Sequence, residues 1–248
     1  MRPLSGIRVL DFTRHLPGPY ATDLLARLGA EVIKIEPPQG DPARWLPPFD
    51  GKFGTLYTLL NRGKKSVVVD LTDPEGVAFV HRLARVCDVA VDSWRPGTAR
   101  RFSTDSETLQ KINPRLVCCS ISGYGRDNPR SGHDANFVAL TGLLDLQRDH
   151  EGEVSLPAVQ LGDMGGALYG ALLVIASLFE RERTGLARDL DVSMLAAARS
   201  LMPTAEALHH QSPAPERTFF LTGSFPGYAT YRTRDRRELM VAALEPQF

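Results

Sequence analysis

Asp163 has the sequence setting that best suits chemistry. It precedes Met164-Gly165-Gly166 at the start of a long apolar stretch that we predict to be a helix. Backbone amides and the dipole at the start of a helix stabilise an anion that forms nearby, and the glycines predict room for a ligand. A carboxylate in that setting suits thioester chemistry, either as a base at the α-carbon or as a nucleophile at the carbonyl carbon. The alternative is structural, because Asp is also a favoured N-cap residue.

His133 is the second candidate for proton transfer. It follows a glycine in the loop-rich segment 123–135, at the predicted carboxyl end of a strand. Imidazole exchanges protons near neutral pH. The alternative is a histidine that caps a helix or is hydrogen-bonded within its loop. His15, which follows the first predicted strand, could line a pocket, but the sequence alone does not select it.

The first 120 residues alternate between short β-branched runs and longer mixed segments. Strands separated by helices of about ten residues predict right-handed βαβ units and a parallel sheet. We therefore predict an α/β fold, with a Rossmann-like parallel sheet and flanking helices. Residues 188–192 predict either a short strand or the lead-in to a helix. The predicted strands are 7–12, 31–35, 65–71, 89–92 and 115–121, and the predicted helices are 20–28, 74–86, 164–184 and 194–208.

Residues 1–212 are predicted to form one large domain. Proline and glycine residues predict a linker over 213–227, and the alternation that returns at 228 predicts a β-hairpin. We interpret 228–248 as the start of a second, small α+β domain. A single hairpin of about twenty residues cannot bury a core of its own. We therefore expect the chain to be shorter than the fold to which it belongs, or to pack on a partner subunit.

Ligands of a parallel α/β sheet bind at the carboxyl ends of its strands. The first βα turn, LDFTRHLPGP, lacks the GxGxxG pattern, and the sequence has no Walker A pattern. Both absences argue against a nicotinamide dehydrogenase or a P-loop enzyme. Basic residues in these loops could bind a phosphorylated ligand, although a solvated surface charge explains each one equally simply. They are Arg14, Lys34, Arg44, Arg62, Lys64, Lys65, Arg95 and Arg101.

Composition argues against several classes of protein and partner. Lys+Arg and Asp+Glu both total 29, so the formal net charge is zero and no nucleic-acid partner is indicated. Three cysteines, two of them adjacent, predict no disulfide framework, so we expect a reducing, cytoplasmic location. No CxxC or HExxH pattern offers a metal site. The apolar run over 164–179 falls short of a membrane span, so we predict a buried helix and no membrane partner.

Residues 4–38, from LSGIRV to VIKIEPP, resemble the N-terminus of the family III CoA-transferases, the CaiB/BaiF type. The strings GHDANF (132–137), LGDMGGALYGALLVIASLFERERTG (161–185), YATYRT (228–233) and ALEPQF (243–248) resemble the racemase branch of that family. The resemblance implies a Rossmann-like large domain, a small domain and an interlocked homodimer. It also implies an acyl-CoA thioester substrate and no permanently bound cofactor, since coenzyme A enters as part of the substrate.

The resemblance also implies site residues. Asp163 takes the position of the family's catalytic aspartate, His133 that of the racemase histidine, and Glu245 that of the glutamate supporting it. Pro37 stands where racemases tend to carry a second arginine, so one phosphate contact is expected to be missing. The residues implied to contact coenzyme A are Leu16, Pro17, Val69, Asp70, Leu71, Thr72, Trp94, Arg95, Arg101, Gly132, Asp134, Ala135, Asn136 and Phe137.

The expected function is 2-methylacyl-CoA racemisation. In it, Asp163 and His133 remove a proton from one face of the α-carbon and return one to the other face through an enolate. The first alternative is CoA transfer between carboxylic acids through an aspartyl-CoA thioester on Asp163; comparable transferases lack the GHD histidine. The second alternative is a truncated, non-catalytic CoA-binding chain. The sequence does not identify the acyl group.

Overall fold

The computed structural model describes residues 2–147, 153–211, 223, 225–245 and 247. Within these ranges the strands are short, and most of them belong to one sheet. In chain order they are β1 (Arg8–Asp11), β2 (Glu31–Glu36), β3 (Phe49–Asp50), β4 (Phe53–Gly54), β5 (Lys65–Val68), β6 (Val89–Asp92), β7 (Val117–Ser122), β8 (Asp189–Ser193), β9 (Tyr228–Arg232) and β10 (Glu238–Ala242).

Helices connect the strands of the main sheet. A 3-10 helix spans Pro42–Trp45, in the excursion between β2 and β5. In chain order the α-helices are α1 (Pro17–Arg27), α2 (Thr55–Asn61), α3 (Pro74–Ala84), α4 (Thr98–Arg101), α5 (Ser106–Ile112), α6 (Asp134–Leu140), α7 (Leu143–Leu146), α8 (Leu161–Thr184), α9 (Met194–Ser200) and α10 (Pro203–Gln211).

The main sheet has six parallel strands in the order β5-β2-β1-β6-β7-β8, which confirms the predicted α/β architecture. The chain builds outward from β1 through β2 to β5. It then crosses back and places β6 on the other side of β1, so that Val9 pairs with both Val32 and Val89. The gap between β1 and β6 is therefore the point where the strand order reverses, and open α/β sheets bind ligands at such points.

Helices cover both faces of this sheet. Val9 and Cys119 belong to the core shared with α1 and α8, whereas their neighbours Leu10 and Cys118 belong to the core shared with α3 and α5. Successive side chains alternate between faces because a strand has a period of two. Since both faces are covered, the central strands β1, β6 and β7 are buried along most of their length. The adjacent cysteines are thus two buried free thiols on opposite faces.

Buried acid–base pairs hold the carboxyl ends of β1 and β2. Carboxylates inside the fold neutralise the charges of Lys34, Arg44 and Lys64. The expectation that these three residues could bind a phosphorylated ligand is therefore wrong. The pairs are Lys64–Asp11 at 3.2 Å, Lys34–Asp41 at 3.0 Å and Arg44–Glu36 at 2.7 Å.

Proline explains two differences from the predicted helix boundaries. α1 begins at Pro17 rather than at residue 20, because proline suits the first turn, where its missing N–H is not needed. The helix predicted over 194–208 is two helices, α9 and α10, because Pro203 cannot continue α9 and instead starts α10. Residues 189–193 form β8, which confirms the strand alternative for that segment.

α8 confirms the predicted long helix but begins at Leu161, so that Asp163 lies in its first turn. The prediction that the glycines leave room for a ligand is wrong for Gly165 and Gly166, because both face α9. A Cβ at Gly166 would lie 2.7 Å from Met194 Cγ, and one at Gly165 would lie 3.4 Å from Ala197 Cβ. By length and composition α8 is long and apolar enough to cross a membrane, but half of its most apolar stretch is buried inside the fold.

β9 and β10 form the predicted antiparallel hairpin, in which Tyr228 pairs with Ala242 and Arg232 pairs with Glu238. The linker predicted over 213–227 falls largely outside the described residues, since 213–222 and 224 are among those not described. The division into a large and a small domain stays a prediction.

Candidate functional site

A cleft of about 310 Å³ opens at the point where the strand order reverses. Its wall combines polar and apolar side chains, so it can bind a ligand that has both kinds of surface. Arg14 comes from the loop after β1 and Trp94 from the loop after β6, and the guanidinium carbon lies 4.9 Å from the centre of the indole ring. Residues implied to contact coenzyme A that line this cleft are Val69, Asp70, Leu71, Thr72 and Trp94.

Trp94 is held from two sides. Asp92 Oδ1 accepts hydrogen bonds from the Trp94 backbone N–H at 3.0 Å and from the Ser120 hydroxyl at 3.1 Å, which ties the loop after β6 to β7. Burial raises the pKa of Asp92 to about 6, although these two hydrogen bonds oppose the shift. The indole packs between Phe12 and Phe102, with ring centres 6.4 and 5.8 Å away. The ring is therefore fixed before any ligand binds.

The turn after β5 forms the opposite part of the wall. Asp70 Oδ1 accepts hydrogen bonds from the Thr72 backbone N–H at 2.8 Å and from its hydroxyl at 2.6 Å. Asp73 caps α3 by accepting the Glu75 N–H at 2.9 Å. A Cβ at Gly76 would lie 2.0 Å from the Asp70 carbonyl oxygen, so only glycine lets the turn pack this closely on the helix. The turn is thereby preorganised, as a binding loop requires.

The basic residues predicted at the carboxyl ends of the strands lie in different environments. Arg14 lines the cleft, and its backbone N–H donates to Ser93 Oγ at 3.1 Å. Exposed Arg101 stacks on Phe102 at 4.6 Å, beside the cleft. Arg95, also exposed, lines a separate cavity of about 60 Å³ that shares Trp94 with the cleft. Among these candidates Arg14 is therefore the one that the fold places inside the cleft wall.

A second group of predicted residues gathers where α6 and α8 begin. Asp134 Oδ1 accepts the backbone N–H groups of Gly162 at 2.7 Å and Asp163 at 3.0 Å. Asp134 thus performs the capping that the sequence analysis offered as the alternative role of Asp163, while Gln160 occupies the N-cap position. The predicted oxyanion site is also corrected, because a carboxylate already occupies these two amides. The Asp163 side chain is consequently not needed to close its own helix.

The Asp163 carboxylate is half-buried, and its oxygens accept no hydrogen bond from the part of the chain that the structure describes. Burial raises the pKa of Asp163 to about 6; the Asp134 charge raises it further, and the His133 charge opposes both. The group is therefore ionised at neutral pH yet more basic than an ordinary aspartate. Such a carboxylate can act as a nucleophile or as a base.

His133 is the N-cap residue of α6, and its backbone N–H donates to Asn136 Oδ1 at 2.9 Å. The capping alternative is therefore confirmed for its backbone position. Its ring is exposed, and it lies close enough to Asp163 for its charge to lower the pKa of that carboxyl. The two predicted catalytic side chains are thus neighbours at the starts of two adjoining helices.

Tyr124 was not predicted as a site residue, and it packs against α6 next to His133 and Asp134. Its ring meets the buried ring of Phe137 edge-on, with the centres 5.1 Å apart. A Cβ at Gly132 would lie 2.6 Å from the Tyr124 hydroxyl oxygen, and one at Gly123 would lie 2.8 Å from Phe137 Cζ. The two glycines therefore let the loop after β7 fold tightly against α6. Gly123 in the GYG string was the available signal, because a glycine lets another group approach the backbone closely.

The remaining predicted residues lie in different places. Leu16 is the N-cap residue of α1 and is half-buried, Pro17 is buried, and Ala135 is exposed in the first turn of α6. Glu245 is exposed after β10, and within the described ranges no hydrogen bond or ion pair joins it to His133. The structure does not bring Glu245 to the Asp163–His133 pair, and its supporting role stays a prediction.

Comparison with known proteins gives a consistent picture. A family model described as CoA-transferase family III matches residues 4–248. Succinyl-CoA:glutarate CoA-transferase of Mus musculus is 37% identical over 100% of this chain and 58% of its own length. Alpha-methylacyl-CoA racemase of Homo sapiens is 35% identical over 99% of this chain and 62% of its own length. The chain thus spans less than two thirds of these curated relatives.

Solved structures agree with the family match. The crystal structure of a CAIB/BAIF family protein from Brucella suis is similar with a TM-score of 0.89 and 30% identity. The similarity covers 97% of this chain and 66% of that one. The arrangement of the parallel sheet and its helices is therefore shared with proteins of that kind.

Proposed function

The chain belongs to CoA-transferase family III, and we propose that it transfers coenzyme A between carboxylic acids with Asp163 as the covalent carrier. The observation that carries this proposal is the state of the Asp163 carboxylate. It is half-buried, its pKa is about 6, and no described residue hydrogen-bonds to its oxygens. A carboxylate in this state is ionised at neutral pH, incompletely solvated and available for attack.

The proposed reaction proceeds through two covalent states. The Asp163 carboxylate attacks the thioester carbonyl of an acyl-CoA and expels the CoA thiolate, which leaves a mixed anhydride. The thiolate then attacks the Asp163 carbonyl of that anhydride, which forms an aspartyl-CoA thioester and releases the first acid as its carboxylate. A second carboxylate reverses both steps and leaves as the new acyl-CoA. Atoms and charge balance without a metal or a redox cofactor.

Coenzyme A is proposed to place its nucleotide end in the cleft between Arg14, Trp94 and the Asp70 turn. Both the cleft and the start of α8 lie at the carboxyl edge of the parallel sheet, so a ligand that reaches from one to the other follows that edge. The names of the curated relatives suggest succinyl-CoA as donor and glutarate as acceptor for the first assays.

The transferase reading is favoured over racemisation, which was the expectation from the sequence. Succinyl-CoA:glutarate CoA-transferase is slightly more similar to this chain than the racemase is. CoA transfer by the proposed route also requires Asp163 alone, whereas racemisation requires a second base. Racemisation remains the second candidate because His133 lies beside Asp163, as a reaction with two bases would require.

A homodimer is also proposed. Leu168, Leu172 and Phe179 lie on one side of α8 and are 51%, 58% and 65% exposed. Contiguous exposed apolar side chains of this kind mark contact surfaces. A second copy of the chain that covers this side would bury them.

Transfer is tested by mixing the protein with succinyl-CoA and labelled glutarate and measuring labelled glutaryl-CoA. We expect transfer by the wild-type chain and none by Asp163→Asn. Exchange of the α-proton of a 2-methylacyl-CoA in deuterated water, without transfer, would support the racemase instead. Binding of coenzyme A with neither activity would overturn both enzymatic proposals and leave a CoA-binding chain.

A further inference from the structure

We propose that Arg14 and Trp94 together form a phosphate-binding station in the wall of the cleft. This inference rests on the proposed CoA ligand and names the residues that would recognise a phosphate of its nucleotide end. In the sequence Arg14 is one of eight basic residues with equal claims to a phosphate, and Trp94 is implied only by the resemblance.

Arg14 differs from the buried basic side chains near this edge, because no described carboxylate lies within ion-pair distance of it. Lys34, Lys64 and Arg44 each lie between 2.7 and 3.2 Å from a buried carboxylate. Within the described ranges no carboxylate forms an ion pair with Arg14. Asp41 is near enough to raise the pKa of Arg14, but burial outweighs that effect and lowers it. A partly buried cation without an anion predicts that an anion is supplied by a ligand.

Two buried hydrogen-bond donors lie in the same wall. They are Arg14 Nε and Trp94 Nε1, and neither has an acceptor among the residues that the structure describes. Both groups can only donate hydrogen bonds. A buried donor without a partner is costly and calls for an explanation. The oxygens of a phosphate are strong acceptors and would satisfy both donors.

The station is rigid before a ligand arrives. The guanidinium stacks on the indole at 4.9 Å, and the Arg14 backbone N–H is tied to Ser93 Oγ at 3.1 Å. The next residue, His15, has a φ of 66°, a left-handed conformation that turns the chain from β1 into α1. A guanidinium that stacks through its face directs its N–H groups into its own plane, where they match the geometry of phosphate oxygens.

Among the described residues that line the cleft, Asp70 is the other charged one. Asp70 lines the same cleft, but its Oδ1 already accepts two hydrogen bonds from Thr72. Its charge is therefore partly spread over local donors. Arg14 is the cation among the described residues that line the cleft. An anion that binds in the cleft is therefore expected to pair with Arg14.

The test compares ligands and variants by calorimetric titration of the 248-residue chain. Coenzyme A carries a 3′-phosphate and a pyrophosphate, dephospho-CoA only the pyrophosphate, and pantetheine neither. We expect Arg14→Met to weaken coenzyme A binding about 10- to 100-fold, and Arg14→Lys to weaken it less. Pantetheine binding should not change. Equal loss for coenzyme A and dephospho-CoA assigns the pyrophosphate, and loss for coenzyme A alone assigns the 3′-phosphate.

Arg85→Met is the matched control. Arg85 is exposed at the end of α3, just before β6 begins and hence at the opposite edge of the sheet. Its replacement removes the same charge and should leave affinity within about 2-fold. Trp45→Phe leaves Trp94 as the remaining tryptophan, so the fluorescence of that variant reports on the station directly. We expect coenzyme A to change this signal, and the change to be lost when Arg14→Met is added.

The outcomes separate the inference from the proposed function. If the wild type and Arg14→Met bind coenzyme A equally, the station is refuted while CoA binding stands. If the wild type does not bind coenzyme A, the proposed function fails, and inorganic pyrophosphate then tests the station alone. Pyrophosphate binding that requires Arg14 would sustain it, and no binding would overturn it.

Discussion

The carboxylate of Asp134 accepts the backbone N–H of Asp163 over 3.0 Å, so a residue in the first turn of α6 caps the helix that carries the candidate nucleophile. The same contact places two carboxylates close together. The negative charge of Asp134 adds to burial in raising the pKa of Asp163. One side chain therefore both fixes the helix and adjusts the basicity of its neighbour.

Replacing Asp134 should separate these two effects. Asp134→Asn keeps an acceptor oxygen for the amides but removes the charge, so the pKa of Asp163 should fall below about 6. It should stay above the ordinary value, because burial is the larger cause of the shift. Since the nucleophile must be ionised, kcat/KM should rise with pH through about 6 in the wild type and at lower pH in the variant. An unchanged pH profile would contradict this assignment.

Asp134→Ala should behave differently. It removes the charge and also leaves the Gly162 and Asp163 amides without their acceptor. We expect a loss of about 1 kcal/mol in the free energy of unfolding, measured by urea denaturation. Asp134→Asn should lose less than Asp134→Ala. Equal losses would mean that charge, rather than the hydrogen bonds, provides the cap.

His133→Ala distinguishes the two candidate reactions. His133 is exposed and forms a capping box with Asn136 at the start of α6, so His133→Ala should cost no more than about 1 kcal/mol in the free energy of unfolding. A transferase that uses only Asp163 should keep its rate within about 3-fold, whereas a racemase should lose about 100-fold or more because one of its two bases is gone. Transfer and α-proton exchange are measured on the same preparation. A transfer rate that collapses in His133→Ala would show that proton transfer by His133 belongs to the reaction.

The parallel sheet could be predicted from the sequence, because the residue patterns that indicate strands and helices are local. The runs IRVLDF and EVIKI are short and rich in β-branched and apolar residues, and they form the strands β1 and β2. The cap from Asp134 to α8 could not be predicted, because it joins residues 29 positions apart through a loop of unknown course. Arg14 was indistinguishable from Lys64 for the same reason. Only the tertiary fold shows that Lys64 forms an ion pair with Asp11 and that Arg14 forms none with a described carboxylate.

Glu36 should control the stability of the chain in acid. Burial would raise its pKa, but hydrogen bonds from Arg44, Ser66 and Tyr57 and from the Asp41 N–H lower it to about 2. A lowered pKa means that the unfolded chain binds the proton more readily. The stabilisation is therefore present above the unfolded pKa of 4.5 and is lost as pH falls toward 2.

Glu36→Gln should remove this contribution. The variant should unfold more easily at pH 7, by about 3 kcal/mol, because Arg44 loses a buried charged partner. Its stability should also depend less on pH in that acidic window, as followed by urea denaturation at several pH values. Glu107→Gln is the control, because Glu107 pairs with Lys111 on the surface, where ion pairs contribute little. If both variants behave alike, the buried network does not set acid stability.

Leu172→Glu tests the proposed dimer surface. A charge on the apolar side of α8 should oppose its burial against a second copy, so light scattering should report a monomer where the wild type gives a dimer. Val86→Glu is the matched control, because Val86 is similarly exposed, at 54%, but follows α3 on the other face of the sheet. A wild-type chain that is monomeric at all concentrations would contradict the dimer.

The most direct test of the central claim is chemical trapping of Asp163. The chain is incubated with succinyl-CoA and hydroxylamine, digested, and analysed by peptide mass spectrometry. Hydroxylamine attacks the Asp163 carbonyl of either the anhydride or the thioester, so we predict a hydroxamate at Asp163 that appears only with the acyl-CoA and coincides with lost activity. Continued transfer with an unmodified Asp163 would contradict the account.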